Sequence, residues 1–128
     1  MRVNRIDHLV LTVADIDSTL NFYQAVLGMR KIEFAGGRVA LAFGRQKINL
    51  HRLGAEFEPH AGRVQAGSAD LCFIVDDPLD EALEQLRKLG VEVIEGPVAR
   101  SGAEGALRSL YFRDPDGNLI EISNYASD

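Results

Sequence analysis

"DHLVLTVADIDSTLNFYQAVLGM" (7–29) and "ADLCFIVDDPLDEALEQLRKLGV" (69–91) share one order: apolar strand, acidic helix start, amphipathic helix, then Leu-Gly. The offset is 62 residues throughout, from Asp7 with Ala69 to Met29 with Val91. A repeat of this length marks a duplicated supersecondary unit. The first helix is predicted from about Asp15 or Asp17 to Gly28, with Leu20, Tyr23, Val26 and Leu27 as its buried stripe. In the second, Asp77 is the expected N-cap and Pro78 the first helical residue. Leu79, Leu83, Leu86 and Leu89 make its apolar face, and Gly90 ends it.

Outward from the repeat, each helix is followed by strand-rich sequence with hairpin signals. Gly36-Gly37 turns the first half, and "GRQK" (44–47) holds the place that "RDPDGN" (113–118) fills in the second. The predicted fold class is α+β: two βαβββ modules, one about 1–56 and the other about 66–128, within a single domain spanning 1–128. Residues 54–69 read as a linker with little structure of its own. The small, polar stretch "PVARSGAEGALR" (97–108) is expected to be a mobile loop rather than a strand.

The bulk composition bounds the function classes. A chain of 128 residues with 46% apolar and 26% charged residues is an ordinary globular domain. A formal net charge of −5, with no basic stripe, argues against nucleic acid as a partner. No stretch approaches a membrane span and no signal peptide is evident, so the expectation is a cytoplasmic protein. The single cysteine, Cys72, excludes an internal disulfide and reads as a small buried hydrophobe in "LCFIV".

Strand parity carries the chemistry. Side chains alternate across a strand, and in "HLVLTV", "KINLH", "DLCFIV" and "LIEIS" one parity is aliphatic. The opposite parity carries His8, His51, Asp70 and Glu121. His8 and Asp70 coincide at the repeat offset, and His51 is matched to Glu121 because each closes its half's last apolar strand. An ionised Glu121 facing a packed core is costly unless paired, metal-bound or open to a wet cleft. Two imidazoles and two carboxylates converging in one cleft suit a divalent ion such as Zn, Ni, Fe(II) or Mn. His60, in "EFEPHAGR", reads as a surface histidine.

"IDHLVLTVADIDSTLNFYQAVLGM" and "SLYFRDPDGNLIEISN" resemble the vicinal oxygen chelate superfamily, which groups glyoxalase I, fosfomycin and bleomycin resistance proteins and extradiol dioxygenases. Within it, "GSADLCFIV", "KINLH" and "YFRDPDGNLIEISNY" are most similar to glyoxalase-domain-containing proteins. The resemblance implies a curved-sheet cup holding one divalent metal, with His8, His51, Asp70 and Glu121 at the ligand positions; many members carry His where Asp70 stands. It implies a small-molecule substrate, a homodimer, and a metal cup formed within one chain or across two. The implied activity is a glyoxalase-like lyase or isomerase acting on an oxygen-chelating substrate, with Glu121 or Asp70 as the base. An extradiol dioxygenase on His8, His51 and Glu121 is the alternative, and a bleomycin-resistance-like binding protein without catalysis the third. Substrate contacts are expected from Arg100, Arg108, Ser109 and Tyr111, with Arg100 meeting an anionic group.

Overall fold

The computed structural model describes residues 1–126, which fall into two compact units, the first Met1–Gly67 and the second beginning at Ser68. The first runs β1 (His8–Val13), α1 (Ile16–Leu27), β2 (Arg30–Phe34), β3 (Arg38–Phe43) and β4 (Gln46–Arg52). The second runs β5 (Asp70–Ile74), α2 (Leu79–Lys88), β6 (Glu95–Gly102), β7 (Gly105–Arg113) and β8 (Leu119–Tyr125). Both are βαβββ, as predicted. Their sheets are ordered β1-β4-β3-β2 and β5-β8-β7-β6. In each, the first strand pairs parallel with the last, and the remaining neighbours are antiparallel. A helix between first and second strands supplies the crossover that parallel pairing requires.

The two helices start differently. Asp15 caps α1, its side chain accepting from the Ser18 amide at 2.8 Å, and Gly28 ends the helix in the left-handed region at φ 63°. Asp77 does not cap α2. The cap position is Pro78, and the Leu79 amide is satisfied instead by Asn124 Oδ1 of β8 at 2.8 Å. Asp77 accepts from Gln85 at 2.7 Å. Leu89 is half exposed, so the buried face of α2 is Leu79, Ala82 and Leu86. α1 packs on β2, β3 and β4, and α2 on β7.

Residues 97–108 are not a loop. β6 and β7 form a hairpin whose register runs from Val98↔Ser109 to Gly102↔Gly105, closed by Ala103 and Glu104. Cross-strand pairing overrides the weak strand propensity of these small residues, because propensity in a sheet mostly measures packing against neighbours. The segment between β4 and β5 has neither helix nor strand, as expected.

The helix-packed faces are apolar: Leu11, Val13, Tyr23, Leu41, Ile48 and Leu50 in the first unit, and Leu79, Leu110, Phe112, Ile120 and Ile122 in the second. The polar parity of each sheet therefore lies on the face away from its helix. No helix among the described residues is long and apolar enough to cross a membrane.

Candidate functional site

On the non-helical face of the second sheet, Glu121 of β8 sits among hydroxyls. Its Oε2 accepts from Ser109 Oγ of β7 at 2.6 Å and from Ser123 Oγ at 3.3 Å, and the two serine oxygens are 2.7 Å apart. Both serines are fully buried. A contact of 2.6 Å to a carboxylate is a charge-assisted hydrogen bond, which holds one oxygen in place. Tyr111 lies opposite Glu121 across the β7–β8 ladder, and Cys72 opposite it across β5–β8. Partial desolvation pushes the Tyr111 phenol and the Cys72 thiol up, and the Glu121 charge adds to both. Both therefore stay protonated near neutral pH and remain donors toward the carboxylate face.

A cavity of about 400 Å³ opens on this face, lined by Asp70, Glu95, Arg100, Tyr111, Arg113 and Glu121 among others. Arg100 extends along it, donating to the Tyr111 hydroxyl at 2.9 Å and to Glu95 at 3.0 Å. The sequence placed Arg100 on a loop; the structure places it on β6, where the ladder fixes its direction. Arg108 lies on the other face and reaches Asp80 of α2 at 3.7 Å, apart from this cavity. Of the four expected substrate contacts, then, Arg100, Ser109 and Tyr111 share a face with Glu121 and Arg108 does not.

The first sheet carries different chemistry on the corresponding face. His51 is 2% exposed and Asn49 is 6% exposed. Arg38 Nη2 approaches His51 Nε2 at 3.4 Å, and the Phe57 ring meets the imidazole edge-on at a 5.5 Å centroid distance. Burial first, and then the Arg38 charge, push the His51 pKa down, so the ring is neutral near pH 7. The Arg38 guanidinium lies over Phe57 at 4.7 Å and Phe34 at 5.4 Å, while Lys47 Nζ lies 3.9 Å from the Phe34 centroid.

Strand register corrects the matching of His51 with Glu121. At the repeat offset Cys72 corresponds to Val10. Glu121 pairs with Cys72, while Val10 pairs with Asn49 and not with His51. Asn49 is the true counterpart of Glu121; His51, opposite Thr12, corresponds to Ser123, opposite Ile74. Parity found the right face but not the level, because a shift of two residues leaves the face unchanged and moves the side chain about 7 Å along the strand.

His8 and Glu121 have surroundings suited to metal ligation. The half-exposed His8 holds Asp7 on Nδ1 at 2.8 Å, which directs Nε2 outward, the arrangement in which a carboxylate orients a ligating imidazole. Glu121 has one anchored oxygen, and Asp70 is exposed on the same cavity. His51 fits less well, because a cation bound at Nε2 would displace or repel the guanidinium already there. Among the described residues no three His, Cys, Asp or Glu side chains gather as a metal-ready group. Asp70 and Glu121 together supply two donors.

Cys72 is exposed, contrary to the expectation of a buried hydrophobe, with its sulfur 3.4 Å from Ser123 Oγ. Its parity with Asp70 was the available signal. Asn49, Arg38 and Phe57 were also passed over. Asn49 shares its parity with His51 and was legible in that way, whereas nothing local marks the contacts of Phe57, which come from the irregular segment. His60 is a surface histidine as expected, 3.1 Å from Glu58.

Comparison with known proteins decides the family. A model of the Glyoxalase/Bleomycin resistance protein/Dioxygenase superfamily matches residues 5–122. The chain belongs to that superfamily. Within the superfamily, virulence protein STM3117 of Salmonella typhimurium is 54% identical, over 98% of this chain and 87% of that protein. Its crystal structure matches with a TM-score of 0.97, over 98% of this chain and all of that one. An integron cassette protein from V. cholerae is 60% identical with a TM-score of 0.96, covering 98% of both chains. Lactoylglutathione lyase of Pseudomonas aeruginosa is 31% identical over 91% of this chain and 80% of its own length.

Proposed function

We propose that the chain is a divalent-metal-dependent enzyme of this superfamily, a glyoxalase-like lyase or isomerase acting on a small substrate that presents neighbouring oxygens. The observation that carries the reading is Glu121: an ionisable side chain with one oxygen anchored by buried Ser109, on a cavity shared with Asp70, Arg100 and Tyr111. His8, Asp70 and Glu121 would hold the ion, and the metal would supply stabilisation of negative charge developing on a substrate oxygen. Asp70 or Glu121 moves the proton, since a carboxylate beside a carbonyl-bearing substrate in a partly dry cavity is the group positioned to do so. The similarity to a lactoylglutathione lyase supports this choice. The dioxygenase alternative is weaker, because its two-histidine, one-carboxylate set needs His51, which is engaged with Arg38. The reading includes the homodimer that the family implies.

The test is metal content by elemental mass spectrometry on untagged protein, before and after chelation, followed by titration with Zn, Ni, Mn and Fe. About one removable and restorable ion per chain supports the enzyme, provided His8→Ala and Glu121→Gln each weaken uptake while the fold is kept. No ion in any preparation and none taken up on titration leaves a small-molecule binding protein without catalysis.

A further inference from the structure

We infer that the non-helical face of the first sheet is a recognition subsite for a small hydroxy acid, its anion met by Arg38 and Lys47 and its hydroxyl by His51 and Asn49. The subsite goes beyond the metal reading and does not depend on it.

Two buried atoms carry the argument. His51 Nδ1 and Asn49 Oδ1 are both shielded from solvent, and neither has a hydrogen-bond partner among the described residues. Arg38 can only donate, so Nε2 of the neutral His51 ring accepts and Nδ1 bears the proton. The face therefore presents one unmatched donor, Nδ1–H, and one unmatched acceptor, the Asn49 amide oxygen, at successive positions of the same parity on β4. Native proteins rarely leave such groups unpaired, and each costs stability until a partner arrives. A hydroxyl accepts from one and donates to the other, and an aliphatic or purely anionic group cannot do both.

The charges specify the rest of the ligand. Neither Arg38 nor Lys47 is ion-paired with a carboxylate among the described residues. Both are held against the Phe34 ring, and Arg38 is also covered by Phe57. A guanidinium stacked on aromatic rings keeps its in-plane donors available for a planar carboxylate. Phe57 is 42% exposed, belongs to the segment without helix or strand, and meets the His51 ring edge-on from that segment.

The test uses the 128-residue chain after chelation, titrated with glycolate and with acetate, which differ by the hydroxyl alone. Binding is followed through the His51 ring nitrogens and the Asn49 side-chain amide by NMR. Glycolate is expected to bind about tenfold more tightly than acetate, the size of one added hydrogen-bonding group. The free protein should show the proton on His51 Nδ1, with that signal moving on addition of glycolate. Asn49→Leu should erase the preference while leaving acetate binding, and Arg38→Met should abolish binding of both. A folded chain, judged by its amide spectrum, that binds neither anion overturns the proposal. So does equal affinity for the two, or a preference that survives Asn49→Leu. Weakened Mn²⁺ uptake in Asn49→Leu with unchanged glycolate binding also overturns it, by assigning Asn49 to the metal instead.

Discussion

The two sheets share a topology and a register, yet their non-helical faces carry different chemistry. Where the second sheet has Glu121, Ser123 and Tyr111, the first has Asn49, His51 and two cations stacked on aromatic rings. Both non-helical faces are polar at matched levels, and both aliphatic faces are matched against a helix. Duplication has kept what backbone pairing and core packing demand, and has left free the side chains that neither demands.

The connections before the last strands differ most, and there the largest effect is expected. β3 and β4 are joined by Gly44 and Arg45 alone. The β7–β8 connection instead wraps the fully buried Asn118, which donates to Asp114 at 2.7 Å and accepts from the Ala69 amide at 2.8 Å. That contact ties the entry to β5 to the turn. Asn118→Ala removes a hydrogen bond to a charged group and strands a backbone amide, a loss of about 2–4 kcal/mol. Arg45→Ala, on the exposed turn, should stay within about 0.5 kcal/mol. Urea unfolding midpoints of the two variants measure the contrast, and similar values would mean the second connection is no more than a spacer.

Next in size is the division of charge. Glu121→Gln is expected to lower divalent metal affinity at least about tenfold, roughly 1.4 kcal/mol. His51→Gln should change it little, because His51 faces Arg38. Calorimetric titration with Mn²⁺ separates the two, and an equal loss in His51→Gln would restore His51 to the ligand set.

Acid should also act on the first unit through His51. Its folded pKa lies below the unfolded value because burial and Arg38 disfavour the charged ring. The unfolded chain therefore binds the proton more readily. Stability is fully present above the ordinary imidazole range and is lost as pH falls through that range toward the depressed folded value, at no more than about 1.4 kcal/mol per pH unit for one group. His51→Gln should remove that slope from urea unfolding measured between pH 7 and about 5; an unchanged slope would assign it elsewhere.

What was legible in the sequence follows from periodicity. A repeat of period 62, helices of period 3.6 and strands of period 2 were sufficient for the element order, the helix spans and the face on which His8, Asp70 and Glu121 lie. Level along a strand was not legible, since period 2 is blind to a two-residue shift, and this is how His51 stood in for Asn49. The β6–β7 hairpin was hidden because Gly, Ala and Ser have no strand preference of their own and are held by the neighbours they pair with. Contacts from the irregular segment, such as Phe57 on His51, have no periodicity to betray them.

The smallest expected difference lies at the helix starts, where the sequence showed an aspartate near each and the structure uses only one. Asp15→Ala removes the side-chain acceptor for the Ser18 amide and should cost about 1 kcal/mol. Asp77→Ala removes only a contact to Gln85, which is exposed, and should cost under about 0.5 kcal/mol. The cap of α2 comes from Asn124, which also donates to the Val75 carbonyl at 3.1 Å and the Asp77 carbonyl at 3.0 Å. Asn124→Ala should therefore exceed both aspartate variants, because it uncaps the helix and frees two carbonyls at once. If Asp77→Ala matched Asp15→Ala instead, the two copies would begin their helices by the same device, and the contrast between local and long-range capping would fail.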